Sequence, residues 1–139
     1  VMVVPYVGKF DTIGERVMVA WKPYREAVRA MNDSMPFLEA SKSTLVLCAD
    51  PNKGARDTMP VPGVDIGERL KCHGVNAKKE TMNASGISVG DLLLSRAADE
   101  SIDLIVCGAY GRPRLRELML GGVTQHLLRH MTVPVIMSH

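Results

Sequence analysis

Aromatic side chains make up only 4% of the 139 residues, with a single Trp. A surface that stacks bases between aromatic and basic side chains is therefore not expected, and Arg112, Arg114 and Arg116 are the nearest approach to a basic patch. The formal net charge of +2 is mild and gives no long-range pull on nucleic acid. No apolar run approaches membrane-spanning length, and Val1-Met2-Val3-Val4 is too short, and lacks the basic flank, for a signal peptide. Three cysteines, Cys48, Cys72 and Cys107, are an odd number without C-x-x-C spacing, so reduced side chains are expected rather than a disulfide framework. These absences lead to the expectation of a soluble, cytoplasmic chain with neither nucleic acid nor a membrane as partner.

What is present is a 46% hydrophobic composition with nine methionines, enough to fill one ordinary core with Met and branched aliphatics. Short β-rich runs alternate with helical periodicity. Val17-Met18-Val19-Ala20-Trp21 is the first core strand. Pro23 then suits the first turn of a helix whose inward face is Tyr24, Ala27, Val28, Met31, Met35 and Leu38, with Pro36 predicted to kink it. Leu45-Val46-Leu47-Cys48-Ala49 reads as a strand buried on both faces. Residues 50–64, with three prolines and two glycines, read as a long surface loop. Asp65 with Glu68 starts a short helix closed by Gly74, residues 75–82 return as a polar edge strand, and Ser88 with Asp91 caps the next helix. The alternation predicts an α/β, doubly wound parallel sheet with helices on both faces.

The most informative stretch is 105–124. Leu104-Ile105-Val106-Cys107 is a buried parallel strand, and Gly108 and Gly111 follow where it gives out, suited to a sharp turn and positive φ. Gly121-Gly122 then open a helix through Val123, His126, Leu127 and His130, whose first N–H groups and positive dipole end suit an anion. There is no Walker lysine and no G-x-G-x-x-G, which disfavours the P-loop and dinucleotide readings. A tight crossover without any ligand would also use these glycines. A metal site joining Cys72-His73 to His126 and His130 is the weaker reading, because nothing in the sequence brings the two clusters together.

The spacing G-x-x-G, nine residues, then G resembles the phosphate-binding motif of the universal stress protein family. The run V-A-W-K-P-Y-R-E-A-V-R-A-M resembles its first strand and helix. The resemblance covers residues 15–139 and implies a Rossmann-like five-stranded parallel sheet of order 3-2-1-4-5. Carried over, the family's nucleotide contacts fall on Ala20, Trp21 and Lys22 at the adenosine side. Gly108, Gly111, Arg112, Gly121 and Gly122 fall at the phosphates, with Val123 and Thr124 at the helix start. Lys22 replaces the usual acidic residue, and Gly122 replaces the usual Ser or Thr. The implied cofactor is ATP, held more weakly than by a complete motif, in a stress-response regulator; the alternative is a dimerisation module of the same fold that binds no nucleotide.

No catalytic constellation is visible, and the expectation is a protein that is not an enzyme. Gly86-Ile87-Ser88-Val89-Gly90 has the letters of a nucleophile elbow, but the strand ends near Met82 and Ser88 reads as a helix cap. The terminal run Val133-Pro134-Val135-Ile136-Met137 is an apolar edge expected to pair in a homodimer. Val1-Met2-Val3-Val4-Pro5 echoes that run, so residues 1–14 read as an edge strand and linker. They could equally be the relic of a preceding copy in a tandem protein.

Overall fold

The computed structural model describes residues 1–49, 65–109 and 122–139. Its elements in chain order are β1 (Met2–Val3), β2 (Arg16–Ala20), α1 (Arg25–Asp33), α2 (Met35–Ala40), β3 (Ser43–Ala49), α3 (Ile66–Cys72), β4 (Ala77–Met82), α4 (Val89–Asp99), β5 (Leu104–Gly108), α5 (Gly122–His130) and β6 (Val135–Ser138). The strands form one sheet of order β1-β6-β5-β2-β3-β4. Five of them are parallel and lie in the order expected from the sequence. The correction is a sixth strand: β1 pairs antiparallel with β6, through Met2 with Ile136 and Val3 with Val135. The edge expected to lie open is therefore occupied by the chain's own first residues.

Strand alternation divides the core. Val17, Val19, Val46, Leu104, Val106 and Ile136 face the layer of α1, α2 and α3. Met18, Leu45, Leu47, Ile105, Cys107 and Val135 face α4 and α5. Unbroken apolar runs in β2, β3 and β5 thus follow from burial on both faces. The β4 edge is different: Glu80 receives a two-pronged bond from Arg96 of α4 at 2.9 and 3.0 Å, with Lys78 at 2.6 Å. Charged side chains on an exposed edge discourage strand addition.

The long first helix is not kinked but broken. Ser34 sits between α1 and α2 at φ −96°, ψ 3°, its hydroxyl donating to Met31 O at 3.0 Å. Pro36 has no N–H to give Asn32 O, so the bonds of α1 cannot run on through it, and it stands in the first turn of α2, where a missing N–H leaves no bond unmade. Pro23, in contrast, lies before the N-cap, Tyr24, and not inside the first turn. The two polar caps behave as their spacing predicts: Asp65 accepts from Gly67 N at 2.7 Å and Ser88 Oγ from Asp91 N at 3.0 Å. Gly74, at φ +75°, ends α3. At the amino end of the sheet, Asp103 gathers the hydroxyl of Thr12 and the N–H groups of Gly14, Glu15 and Arg16 within 2.9–3.1 Å.

Candidate functional site

The connections leaving β2 and β5 go to opposite faces of the sheet, α1 to one and α5 to the other. Each connects parallel neighbours, so each helix runs back across the sheet and presents its amino end at the strands' carboxyl end. The place where the two connections diverge is the switch point at which open α/β sheets take their ligands. Its β2 side is Ala20, Trp21 and Lys22. Trp21 is only 7% exposed and its ring belongs to the core beneath α1, so its backbone rather than its indole is what a ligand would meet. That backbone is fixed by Trp21 N–H donating to Leu47 O at 2.9 Å. Lys22 Nζ lies 5.2 Å from the centre of the Tyr24 ring, a cation–π distance that keeps the ammonium near the mouth of the crevice.

On the β5 side, Gly108 has a role that its spacing does not reveal. Its φ is not positive. A Cβ there would lie 2.7 Å from Ala27 N and 2.8 Å from Glu26 C, both backbone atoms of the first turn of α1. Glycine is required for close helix–strand approach, and the expectation of a turn at Gly108 is corrected accordingly. Gly122, in contrast, has nothing among the described residues within 4 Å of a would-be Cβ. It is exposed at the first position of α5, where N–H groups have no acceptor inside the helix. Val123 beside it is 38% exposed, whereas Thr124 is buried at 6%. Gly111, Arg112 and Gly121 lie outside the described residues, as does the stretch 50–64 expected to form a loop.

A cluster near the same end of the sheet went unread in the sequence. Ser88 Oγ donates to Asp91 Oδ2 at 2.6 Å, and Asp91 Oδ1 is 2.9 Å from His126 Nε2 on α5. The serine thus meets a carboxylate and not an imidazole, so the elbow letters do not produce a nucleophile with its base. The Ser88 hydroxyl is the main reason the Asp91 carboxyl is held below the usual range, with His126 and His130 adding to it. The bearing of Asp91 on His126 could not be found by spacing, because the residues belong to different helices. No group of three or more His, Cys, Asp or Glu side chains poised for a metal occurs among the described residues. Cys72-His73 and the His126–His130 pair sit with helices on opposite faces of the sheet. The cysteines are all free, and burial pushes the Cys107 thiol up to about 12.

This sheet order defines an open, doubly wound α/β protein of the kind that takes ligands at the strands' carboxyl ends. A sequence model of the universal stress protein family matches residues 68–139, and the chain belongs to that family. Universal stress protein MJ0577 of Methanocaldococcus jannaschii is 31% identical over 80 residues, a match covering 51% of this chain and 49% of that protein. The matched part thus spans about half the length of that curated relative. Its solved structure superposes with a TM-score of 0.70 at 18% identity, covering 91% of this chain and 96% of that one. A universal stress protein from Archaeoglobus fulgidus gives 0.65 at 17%, covering 89% and 97%. One solved in complex with cAMP gives 0.68 at 18%, covering 92% and 98%. At such identities the structural likeness is one of fold. Among the described residues no helix is long and apolar enough to cross a membrane.

Proposed function

We propose that the protein is a cytoplasmic stress-response regulator that holds an adenine nucleotide, ATP foremost, in the crevice between β2 and β5. The observation that carries this reading is the convergence of two helix amino ends on the carboxyl end of that strand pair, with nothing among the described residues crowding Gly122. The phosphates would lie against the first N–H groups of α5, where dipole and donors favour an anion. Lys22 would contribute a point charge, and the backbone of Ala20 and Trp21 would face the adenosine. A universal stress protein of the same fold was solved with cAMP, which supports a nucleotide as the class of ligand. The protein would act by binding and not by turnover, Ser88 being engaged as a helix cap. Calorimetry with ATP tests this. A hydroxyl supplied by Gly122→Ser, hydrogen-bonding a charged phosphate, is worth about 1.5–3 kcal/mol and should tighten binding roughly ten- to a hundredfold. No heat from either protein at about millimolar ATP, a weak-binding limit, would refute the reading.

A second reading, association without nucleotide, is favoured by one observation. β1 covers the β6 edge with only two paired residues, and Val1, Val4, Tyr6 and Val7 stand at 87, 49, 101 and 76% exposure. A homodimer through 133–137 would exchange or displace β1. Sedimentation of the full chain beside one lacking residues 1–10 tests it, and two unchanged monomers would end the idea.

A further inference from the structure

The contact between α4 and α5 is built around His126. Its Nε2 is buried, 2.9 Å from Asp91 Oδ1, yet the carboxylate oxygen lies off the line of a hydrogen bond and no other acceptor among the described residues serves that nitrogen. A bare lone pair facing a carboxylate would repel it, so Nε2 carries the proton. Beneath the ring lies Gly90 of α4, where a Cβ would come within 2.6 Å of Cδ2, 2.8 Å of Cγ and 2.9 Å of Cβ of His126. The glycine gives the imidazole its seat. Above it lies His130, ring centres 4.3 Å apart, whose Nδ1 is 3.0 Å from His126 O. One carboxylate therefore answers two imidazoles. Asp91 from α4 and His130 from α5 are the titratable groups set against His126 among the described residues; Arg96 and Glu100 of α4 are engaged with Glu80 and with each other.

We propose that Asp91, His126 and His130 form a proton-operated clasp between α4 and α5 that sets how the first turn of α5 sits at the crevice. A proton on His126 turns a polar contact into an ion pair with Asp91 and draws the helices together. When protonated, His130, stacked on His126 from the same helix, sets a second positive charge near Asp91 and so reinforces the attraction across the helix pair. Gly122 lies four residues, about one turn, before His126, so the seat of the ring is passed directly to the helix's opening N–H groups. Ser88 and Asp91 act as positioning residues, not as contacts of any ligand. Only the consequence for nucleotides rests on the function proposed above; the clasp does not.

Amide NMR of the whole chain between about pH 5 and 8, where imidazoles change charge, reads the clasp without a ligand. The Gly122, Val123 and Thr124 amides should shift in step with the His126 ring resonances, and Asp91→Asn should cut that excursion severalfold. Should Asp91→Asn not fold, His126→Gln serves, since it keeps a donor of similar size that does not titrate and should abolish the excursion. Amides that do not follow His126, or that follow pH equally in the folded variant, overturn the proposal. ATP affinity at both ends of the range should vary more in wild type than in His126→Gln, the nucleotide's own titration being common to both. If no protein binds ATP at any pH, the nucleotide reading falls and the amide shifts still decide the clasp.

Discussion

Replacing Gly108 by alanine sets the packing role of this residue against the turn role that its motif suggests. The added Cβ would meet Ala27 N at 2.7 Å, Glu26 C at 2.8 Å and Glu26 Cβ at 3.0 Å. Two of these are backbone atoms of a helix, so no side-chain rotation relieves the overlap. Instead α1 must lift from β5 by roughly 0.5–1 Å, a gap that forfeits a quarter to a half of each contact along it. The residues that lose contact include Ala30 and Met31, both with no exposed surface, and Ala27 at 6%. Overpacking of this kind costs about 1–3 kcal/mol. For a chain of this size each kcal/mol moves the melting temperature by about 3–5 °C, so thermal unfolding by circular dichroism should fall by about 3–15 °C. Gly122→Ala is the control. Among the described residues its Cβ meets nothing, and removing a glycine's freedom from the unfolded chain should be neutral or stabilise by up to about 1 kcal/mol. A Gly108→Ala melt within about 1 °C of wild type would show that α1 does not press on β5 as described.

Other outcomes follow from single contacts. Lys78, foremost, and Arg96 hold the Glu80 carboxyl below its ordinary range. That stabilisation is complete above the unfolded value near about pH 4.3 and is lost as pH falls through the lower folded value, so Glu80→Gln should flatten the acid limb of a stability–pH curve. Asp103→Ala should cost on the order of 2–3 kcal/mol in urea unfolding, because three N–H groups and a hydroxyl lose a charged acceptor. With a disulfide reagent at about pH 8, the exposed Cys72 should react fast and the buried Cys107 only on unfolding, its thiol being raised to about 12. Equal rates for the two would contradict the burial of β5.

Local rules carried the fold a long way. The apolar runs of β2, β3 and β5, the caps Asp65 and Ser88 and the C-terminal Gly74 follow from residue chemistry within a few positions, and each stands where its pattern places it. What escaped were contacts between distant segments. Ser34 breaks a helix whose apolar spacing runs on through Leu38, because burial of that face is served as well by two short helices as by one. The motif gave Gly108 and Gly122 similar standing, yet one is pinned by α1 and the other meets nothing among the described residues, a difference set by a helix eighty residues earlier in the chain. The switch point was legible through the family resemblance, which implied the order of the parallel strands. His126 and Asp91 were not, because nothing in either helix's periodicity points at the other.

The pairing of Met2 with Ile136 joins positions 134 residues apart, the longest separation in the sheet. Every other neighbour in the sheet is joined by parallel pairing across shorter separations, so the five-stranded body can condense before β1 has anything to dock against. Closing the widest loop last leaves that contact out of the folding nucleus. Its loss should therefore quicken unfolding while leaving the refolding rate almost untouched. In native-state hydrogen exchange, the Met137 amide, which donates to Val1 O at 2.8 Å, should open at far lower free energy than the amides of β5 one strand away. The first strand is then the part of the molecule that time and temperature reach first, and the rate at which it peels sets how long the β6 edge stays covered.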